Sequence, residues 1–190
     1  NHAEYVVVNQ NLCTRIPDNT DIKEASFTVL GSIALHGLRL SETSLGSKVV
    51  VIGLGIIGQL VCRLAEAQGS EVIGIDPDTK RTDMSANFYT SVEEANMTNV
   101  DSVIITAATS SNEPIEVATK IARNKAKIVV VGDIPLNISR NDFYYKELEL
   151  VVSKSYGPGR YDKQYEILGK DYPIEYVRWT ENRNFEAFIK

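Results

Sequence analysis

Short apolar runs alternate with amphipathic stretches along most of this chain. The amphipathic stretches predict helices at 56–68, 78–84, 115–124 and 141–146. The apolar runs predict strands at 48–53, 71–76, 87–89, 100–106, 126–131 and 147–153. Apolar strands that alternate with helices are typical of a parallel sheet covered on both faces and wound right-handed. We therefore predict an α/β fold built on a doubly wound, parallel, six-stranded sheet.

The residues before the first of these strands have patterns of their own. Residues 3–9 and 11–16 are predicted to form short strands. Asp21, with Glu24 three residues later, makes a capping box at the start of a helix that includes Phe27 in its buried stripe. This helix is expected to end near Leu40.

A glycine-rich turn follows the first strand directly. Gly53-x-Gly55-x-x-Gly58 lies between the apolar run and a helical pattern. Gly53 allows a sharp turn, Gly55 lets a pyrophosphate approach the backbone without a Cβ in the way, and Gly58 lets the helix pack closely. Free amides at the helix start, with the positive end of its dipole, attract phosphates. The pattern favours a Rossmann dinucleotide site, and the alternative is a tight strand–helix turn without a ligand.

Further contacts are expected from the other loops at the same edge of the sheet. Asp76 ends the second strand, where a carboxylate can accept both hydroxyls of an adenosine ribose. In such a sheet the ligand lies across the carboxyl ends of the strands, at the point where strand order reverses. This adds the residues that follow strands two, four and five, namely Arg81, Thr106, Ala107, Ala108, Val131, Gly132 and Asp133. The small residues at 107 and 108 leave room for a nucleoside, or else they form a turn that only packs well.

The acidic residue also bears on the choice of cofactor. Asp76 would repel a 2′-phosphate, which favours NAD over NADP. Lys80 and Arg81 stand just downstream. Their positive charges either reduce the repulsion between Asp76 and a 2′-phosphate or are solvated charges on a short helix.

Composition and charge narrow the range of partners. The chain has 190 residues, of which 43% are hydrophobic and 24% charged, and this is ordinary for a globular domain. A net charge of −5 without a basic stripe argues against nucleic-acid or membrane-surface binding. No apolar stretch reaches the roughly 20 residues that span a bilayer, and no signal peptide is seen. Cys13 and Cys62 are too few for a disulfide framework or a zinc knuckle, so a reducing cytoplasm is the expected location.

Several segments resemble known families. Roughly over residues 1–155, the chain is similar to the cofactor domain of medium-chain alcohol/polyol dehydrogenases. The segments that carry this similarity are HAEYVVV, IPDNTDIKEASFTVLGSIALHGLR and VIGLGIIGQL. The C-terminal part resembles bi-domain oxidoreductases of bacterial polysaccharide loci, in which such a dehydrogenase is fused to a Gfo/Idh/MocA-like domain. The segments that carry this resemblance are FYYKELELVVSKSYGPGRYD and DYPIEYVRWTENRNFEAF. The resemblance implies three parts. These are a remnant of a GroES-like β domain at 1–20, a Rossmann domain at 21–160 and an extension at 161–190 toward a following domain.

The resemblance also implies roles for individual residues. Asp76 would lie on the adenosine ribose, with Arg81 near the ribose or adenine. Thr106 and Ala107 would lie beside the nucleoside, and Gly132 near the nicotinamide end. The pyrophosphate loop would consist of Gly53, Leu54, Gly55, Ile56, Ile57 and Gly58.

A departure from the family concerns zinc. Zinc-type members carry a catalytic-metal cysteine where this chain has Gly31-Ser32, and serine is a poor zinc ligand. With only His2, His36, Cys13 and Cys62 available as soft ligands, no zinc is expected in this part of the protein.

The implied function is that of the NAD(H)-binding domain of an alcohol/polyol (sugar) dehydrogenase-like oxidoreductase. Such an enzyme transfers hydride between nicotinamide and a secondary alcohol or ketone. Thr180 to Ile189 looks like a helix cut off at Lys190, so we expect a piece of a longer protein that is inactive by itself. Two alternatives stay open, an NAD(H)-sensing regulatory module without catalysis and an S-adenosylmethionine methyltransferase.

Three further expectations concern single elements. Tyr156 either donates a proton to a carbonyl, if its pKa is lowered, or serves as a packing anchor. His36 is expected to be a partly buried, hydrogen-bonded histidine rather than a catalytic one. By family analogy, Leu148 to Val152 is a candidate seam for a homodimer.

Overall fold

The computed structural model describes residues 3–83, 85 and 87–190. It contains a six-stranded sheet in the order β3-β2-β1-β4-β5-β6, in which all neighbouring strands are parallel. The predicted doubly wound, parallel, six-stranded sheet is therefore confirmed. The strands are β1 (Lys48–Ile52), β2 (Glu71–Ile75), β3 (Phe88–Tyr89), β4 (Val100–Ile105), β5 (Ala122–Val130) and β6 (Glu149–Val152).

A 3₁₀ helix at Gln10–Leu12 precedes the α-helices. These are α1 (Ile22–Ala25), α2 (Thr28–Leu40), α3 (Ile56–Ala67), α4 (Thr79–Thr82), α5 (Val92–Ala95), α6 (Glu113–Ile121), α7 (Arg140–Lys146), α8 (Lys163–Glu166) and α9 (Glu181–Ile189). None of the helices in the described residues is long and apolar enough to span a bilayer. The chain divides into two compact units, Asn1–Ile33 with Lys154–Lys190, and Ala34–Ser153, which holds the sheet.

Strand β1 shows why the sheet is covered on both faces. Val49 and Val51 belong to one buried core cluster, whereas Val50 and Ile52 belong to the other. Successive side chains of a strand point to opposite faces, so an uninterrupted apolar run needs a covering layer on each side. Each buried side chain of this size contributes roughly 1.5–3 kcal/mol to folding. The apolar run thus dictates a central, buried strand.

The position of β1 between β2 and β4 creates the cleft. Ile52, at the carboxyl end of β1, is in register with Ile75 of β2 on one side and with Ile105 of β4 on the other. The chain passes from β1 to β2 and β3 and then returns to form β4 on the opposite side of β1. The loops that follow β1, β2 and β4 therefore begin side by side at one edge of the sheet.

The prediction of strands at 3–9 and 11–16 is wrong. The described residues of the first segment have no regular structure, and the second begins within the 3₁₀ helix Gln10–Leu12 and continues without regular structure. The side chains of residues 5–8 are exposed, although three of them are valines. A strand needs a hydrogen-bonded neighbour, and no segment in the described part of the chain pairs with these residues.

The helix predicted from Asp21 to Leu40 is interrupted. Asp21 does cap its start, because its carboxylate accepts a hydrogen bond from the Lys23 amide at 2.8 Å. However, α1 ends at Ala25 and α2 begins at Thr28, and the hydroxyl of Thr28 donates to the Ala25 carbonyl at 2.7 Å. Such bonds compete with the helical ladder. Phe27, at the break, is 44% exposed and does not belong to a buried stripe.

Two other boundaries differ from the prediction. Helix α6 ends at Ile121, three residues early, and β5 starts at once with Ala122. The ammonium of Lys146 donates to the carbonyl oxygens of residues 119, 120 and 122 and so caps this helix end. The helix predicted at 78–84 is confirmed as the shorter α4, and residue 84 lies outside the described residues.

His36 on α2 has 9% of its surface exposed, so it is more fully buried than the sequence predicted. Burial, with a smaller contribution from the charge of Arg39, lowers the pKa of His36 to about 4. The unfolded chain binds this proton near pH 6.5, whereas the folded one binds it only near pH 4. The contribution of His36 to the free energy of unfolding is therefore fully present above its unfolded-state pKa of 6.5. It is lost as the pH falls toward its folded-state pKa of about 4.

We predict that the wild-type chain loses about 2 kcal/mol more stability than His36→Gln between pH 7.5 and pH 5, since each pKa unit is worth about 1.4 kcal/mol. Urea unfolding of both proteins at the two pH values measures the difference. Equal losses in the two proteins would show that the neutral histidine is not the cause.

Candidate functional site

A cavity of about 610 Å³ lies at the carboxyl ends of β1, β2 and β4. Its walls come from the glycine turn after β1, the loop after β2, the start of α5, and the loop that leads from β4 into α6. Seven of the predicted site residues line it, namely Gly53, Gly55, Asp76, Arg81, Thr106, Ala107 and Ala108. The edge of the sheet that the sequence indicated is thus a real concave site.

The three glycines of the turn have different tasks. Gly53 has φ +97°, a conformation that favours glycine, and a Cβ there would lie 2.6 Å from the amide nitrogen of Ala107. A Cβ on Gly58 would overlap the carbonyl oxygen of Gly53. At Gly55, by contrast, a Cβ would meet no described atom within 4 Å. The fold therefore requires Gly53 and Gly58, while the space at Gly55 is left open toward the cavity.

Helix α3 begins beside that open space. Gly55 is its N-cap, and no side chain of the described residues caps it. The first amides of a helix lack intrahelical acceptors, and they carry the positive end of the helix dipole. An anion such as a pyrophosphate is the ligand that this arrangement can accept, and the free space at Gly55 lets it approach the backbone. The turn therefore fits the phosphates of a dinucleotide.

Asp76 connects the end of β2 to the glycine turn. Its Oδ2 accepts hydrogen bonds from the Leu54 amide at 2.7 Å and from the Arg81 guanidinium at 3.0 Å. Its Oδ1 accepts a bond from the Asp78 amide at 2.9 Å. Burial, which leaves 3% of the residue exposed, would raise the pKa of Asp76, but these three donors hold it below the usual value. The carboxylate is therefore ionised and fixed in place.

Arg81 lies against the same carboxylate. Its Nε also lies 3.5 Å from the Asp78 carboxylate, and 48% of its side chain is exposed. The hydrogen bond and charge of Asp76 raise the pKa of Arg81. Lys80 is an exposed residue of the short helix α4. Of the two cations after β2, Arg81 is thus the one that lines the cavity.

The loop after β4 supports the turn from the other side. The Thr106 hydroxyl donates to the Gly53 carbonyl at 2.5 Å, and the Ala107 amide donates to the Ile52 carbonyl at 3.1 Å. Gly132 packs against this loop, because a Cβ on it would overlap the Ala107 carbonyl oxygen. Gly132 does not line the cavity, and neither do Leu54, Ile56, Ile57 and Gly58, which shape the turn and the start of α3.

Two parts of the cavity wall were not predicted from the sequence. Residues 90–93, at the start of α5, line it, as do residues 109, 111, 113, 114 and 117 before and within α6. A signal for α5 was present, since Ser91 and Glu94 have the spacing of a capping box. The Ser91 hydroxyl accepts from the Glu94 amide at 3.2 Å, and the Glu94 carboxylate accepts from the Thr90 amide at 2.8 Å.

Tyr156 belongs to the other unit, where it packs against Phe185 with ring centroids 5.3 Å apart. Burial first, and the charge of Glu181 second, raise the pKa of Tyr156. A proton-donating tyrosine needs a lowered pKa, so these surroundings favour the packing role.

Ser32, which the resemblance matches to the cysteine of zinc-type members, is buried and donates its hydroxyl to the Thr28 carbonyl at 2.7 Å. Among the residues that the structure describes, no three His, Cys, Asp or Glu side chains are grouped so as to hold a metal ion.

A parallel sheet with this glycine turn, the acid after β2 and a cleft at the reversal of strand order defines a Rossmann-type NAD(P)-binding domain. The chain matches the family described as D-isomer specific 2-hydroxyacid dehydrogenase, NAD binding domain, over residues 29–143, and it belongs to this family of NAD-binding domains. The matched stretch runs from α2 into α7 and contains the glycine turn and Asp76.

The relatives by sequence and structure include dehydrogenases and reductases of sugars and polyols, in agreement with the expected cofactor domain. The chain is 26% identical to 2-dehydro-3-deoxy-L-galactonate 5-dehydrogenase of Pseudoalteromonas atlantica, covering 81% of this chain and 49% of the relative. It is 25% identical, with a TM-score of 0.66, to a structure described as a zinc-binding dehydrogenase from Sinorhizobium meliloti 1021 bound to NADP, covering 74% of this chain and 46% of that one.

Galactitol-1-phosphate dehydrogenase from Escherichia coli has the same fold, with a TM-score of 0.70 at 20% identity, over 99% of this chain and 56% of that one. The chain spans about half the length of these relatives. The similarity thus concerns the cofactor-binding part of such dehydrogenases, and it supports NAD(P) rather than S-adenosylmethionine as the ligand class.

The second and third glycines of the turn give a matched pair of variants. We predict that Gly58→Ala lowers the unfolding free energy by about 1–3 kcal/mol, since the new methyl group must displace the turn. Gly55→Ala should cost less than about 1 kcal/mol, because its methyl group enters open space. Urea unfolding of both variants measures this, and equal losses would contradict the different tasks of the two glycines.

Proposed function

We propose that this chain is the NAD(H)-binding part of a dehydrogenase that transfers hydride between nicotinamide and a secondary alcohol or ketone of a sugar or polyol. One observation carries the proposal. The open space at Gly55 and the ionised Asp76 face one cavity, at the distance along the chain that a dinucleotide site requires. The relatives whose names describe them as dehydrogenases support the reaction class.

The proposed contacts follow from the local chemistry. Backbone amides at the start of α3 would bind the pyrophosphate in the space that Gly55 leaves free. Asp76 Oδ1, which accepts one bond from the Asp78 amide, has acceptor capacity left for a ribose hydroxyl. Arg81, half-exposed at the cavity wall, would lie beside the ribose or the adenine. Thr106 and Ala107 would lie beside the nucleoside, and Gly132 would lie near the nicotinamide end of the cofactor.

We propose NAD as the preferred cofactor. A buried, ionised Asp76 would repel a 2′-phosphate. Arg81 already pairs with this carboxylate and is therefore not free to bind a phosphate without breaking that pair. The NADP in the Sinorhizobium meliloti relative shows that the fold can also accept a 2′-phosphate, so the ratio of the NADH and NADPH affinities tests the preference.

The rest of the proposed activity lies beyond this cavity. When bound, the nicotinamide supplies the hydride acceptor or donor, and the residues of this chain bind it, orient it and exclude water. We propose that the substrate pocket and the proton relay come from other parts of a longer protein. In that protein, residues 1–20 would be the remnant of a GroES-like domain and residues 21–160 the Rossmann domain. Residues 161–190 would be the extension toward a fused Gfo/Idh/MocA-like domain.

We also propose that two copies pair through β6. This strand ends the sheet on one side in the described part of the chain, and Val152 on it is 59% exposed. An exposed edge strand offers unpaired backbone groups to a second copy.

The ribose role is tested with a matched pair of acids. We predict that Asp76→Ala weakens NAD(H) binding by about 1–3 kcal/mol, the usual loss for a charged hydrogen-bonding partner. Asp78→Ala, which removes an equal charge two residues away, should change it by less than about 0.5 kcal/mol. Isothermal titration calorimetry with NADH and NADPH gives both affinities. If Asp76→Ala binds NADH as the wild type does, the ribose assignment is wrong.

A further inference from the structure

Glu181, the first residue of α9, is an unusual buried acid. It is 0% exposed, and so are Thr180 and Asn184 beside it. Neither carboxylate oxygen of Glu181 accepts a hydrogen bond from any described residue. Burying an ionised carboxylate without a donor is costly, and an unsatisfied buried group of this kind requires an explanation.

The nearby cation does not supply the missing partner. The Nη1 of Arg160 pairs with the Glu166 carboxylate at 2.7 Å, and its guanidinium lies over the Tyr161 ring, 4.0 Å from the centroid. The Nε of Arg160 is buried and makes no hydrogen bond within the described residues. Burial first, and the negative charge of Glu166 second, raise the pKa of Glu181 to about 7, and Arg160 offsets this only in part. The surroundings favour the neutral acid.

The start of α9 holds this side chain inside. The Glu181 amide donates to the Pro158 carbonyl at 2.7 Å, and the Asn184 side-chain amide donates to the Tyr156 carbonyl at 2.9 Å. The Tyr165 hydroxyl donates to the hydroxyl of Thr180, the N-cap of α9, at 3.0 Å. Because the backbone of Glu181 is fixed to the turn at 156–159, its carboxylate can reach water only if this helix start separates from the turn.

We propose that the start of α9 is a proton-dependent latch. It stays closed on the 156–159 turn while Glu181 is the neutral acid. When the carboxyl group releases its proton to solvent, an unpaired charge is left inside, and the helix start opens to hydrate it.

The other titratable groups around Glu181 do not change charge in the same range. Burial acts to raise the pKa of Glu166, but Arg160 and the Tyr161 amide hold it below its usual value, and the pKa values of Arg160, Tyr156 and Tyr165 are all raised. The 3₁₀ helix Gln10–Leu12, which also contacts α9, has no titratable side chain. On α9 itself, Arg183 pairs with Asp171.

The sign of the effect follows from these values. An opened Glu181 would ionise near its ordinary pKa of 4.5, whereas the closed one ionises near 7. The closed form is therefore fully favoured below the lower value, and opening increases as the pH rises through this window. Above about pH 7 Glu181 is ionised in both forms, so the free-energy difference between the closed and the open form no longer changes with pH.

Hydrogen–deuterium exchange of the α9 amides in the full chain tests the latch. The protection factor, which is corrected for intrinsic exchange, should fall by about tenfold per pH unit between about pH 4.5 and 7 and then level off. Glu181→Gln, a neutral isostere, should keep the protection high and independent of pH. Glu186→Gln, on the exposed side of the same helix, should behave like the wild type.

Three results would overturn the latch. They are constant protection in the wild type, the same pH dependence in Glu181→Gln as in the wild type, and loss of the dependence in Glu186→Gln. If Glu181→Gln does not fold, the carboxyl ¹³C shift of Glu181 in the wild-type chain decides the question. A titration midpoint near 7 supports the latch, and one near 4.5 overturns it.

Discussion

The hydrogen bond from the Leu54 amide to the Asp76 carboxylate is the constraint on which the site depends. It ties the glycine turn after β1 to the end of β2, and the Thr106 hydroxyl ties the same turn to the loop after β4 through the Gly53 carbonyl. Three neighbouring strands thus fix one turn. The amides at the start of α3 are held in place before any ligand arrives, so binding does not have to order them. The acid that we propose to contact the ribose also holds the turn that we propose to bind the phosphates.

Two buried carboxylates in this chain show how donors decide the charge. Asp76 and Glu181 are 3% and 0% exposed, yet the pKa of Asp76 is lowered and that of Glu181 is raised to about 7. Asp76 accepts bonds from two amides and a guanidinium, whereas Glu181 accepts none from the described residues. With the same burial, one group is a fixed anion suited to a ribose and the other favours a proton.

The sheet and the position of the site could be predicted from the sequence because periodicity and glycine spacing are local signals. What the sequence could not supply depended on tertiary partners. The consecutive valines at 6–8 favour a strand but find no neighbouring strand in the described residues. The hydrogen bond from the Leu54 amide to Asp76 and the burial of Glu181 at the start of α9 arise only when distant segments meet. Glu181 reads in the sequence as an ordinary acid in the first turn of a helix.

The most direct test of the account is to follow the backbone amide ¹H and ¹⁵N shifts while NADH is added to the wild type and to Gly55→Val. We expect saturable shifts at residues 55–57 and at Asp76 in the wild type and none in the variant. The fold of the variant should stay intact, because the new side chain fills space that is free of protein atoms. Shifts confined to other residues, or normal NADH binding by Gly55→Val, would contradict the account.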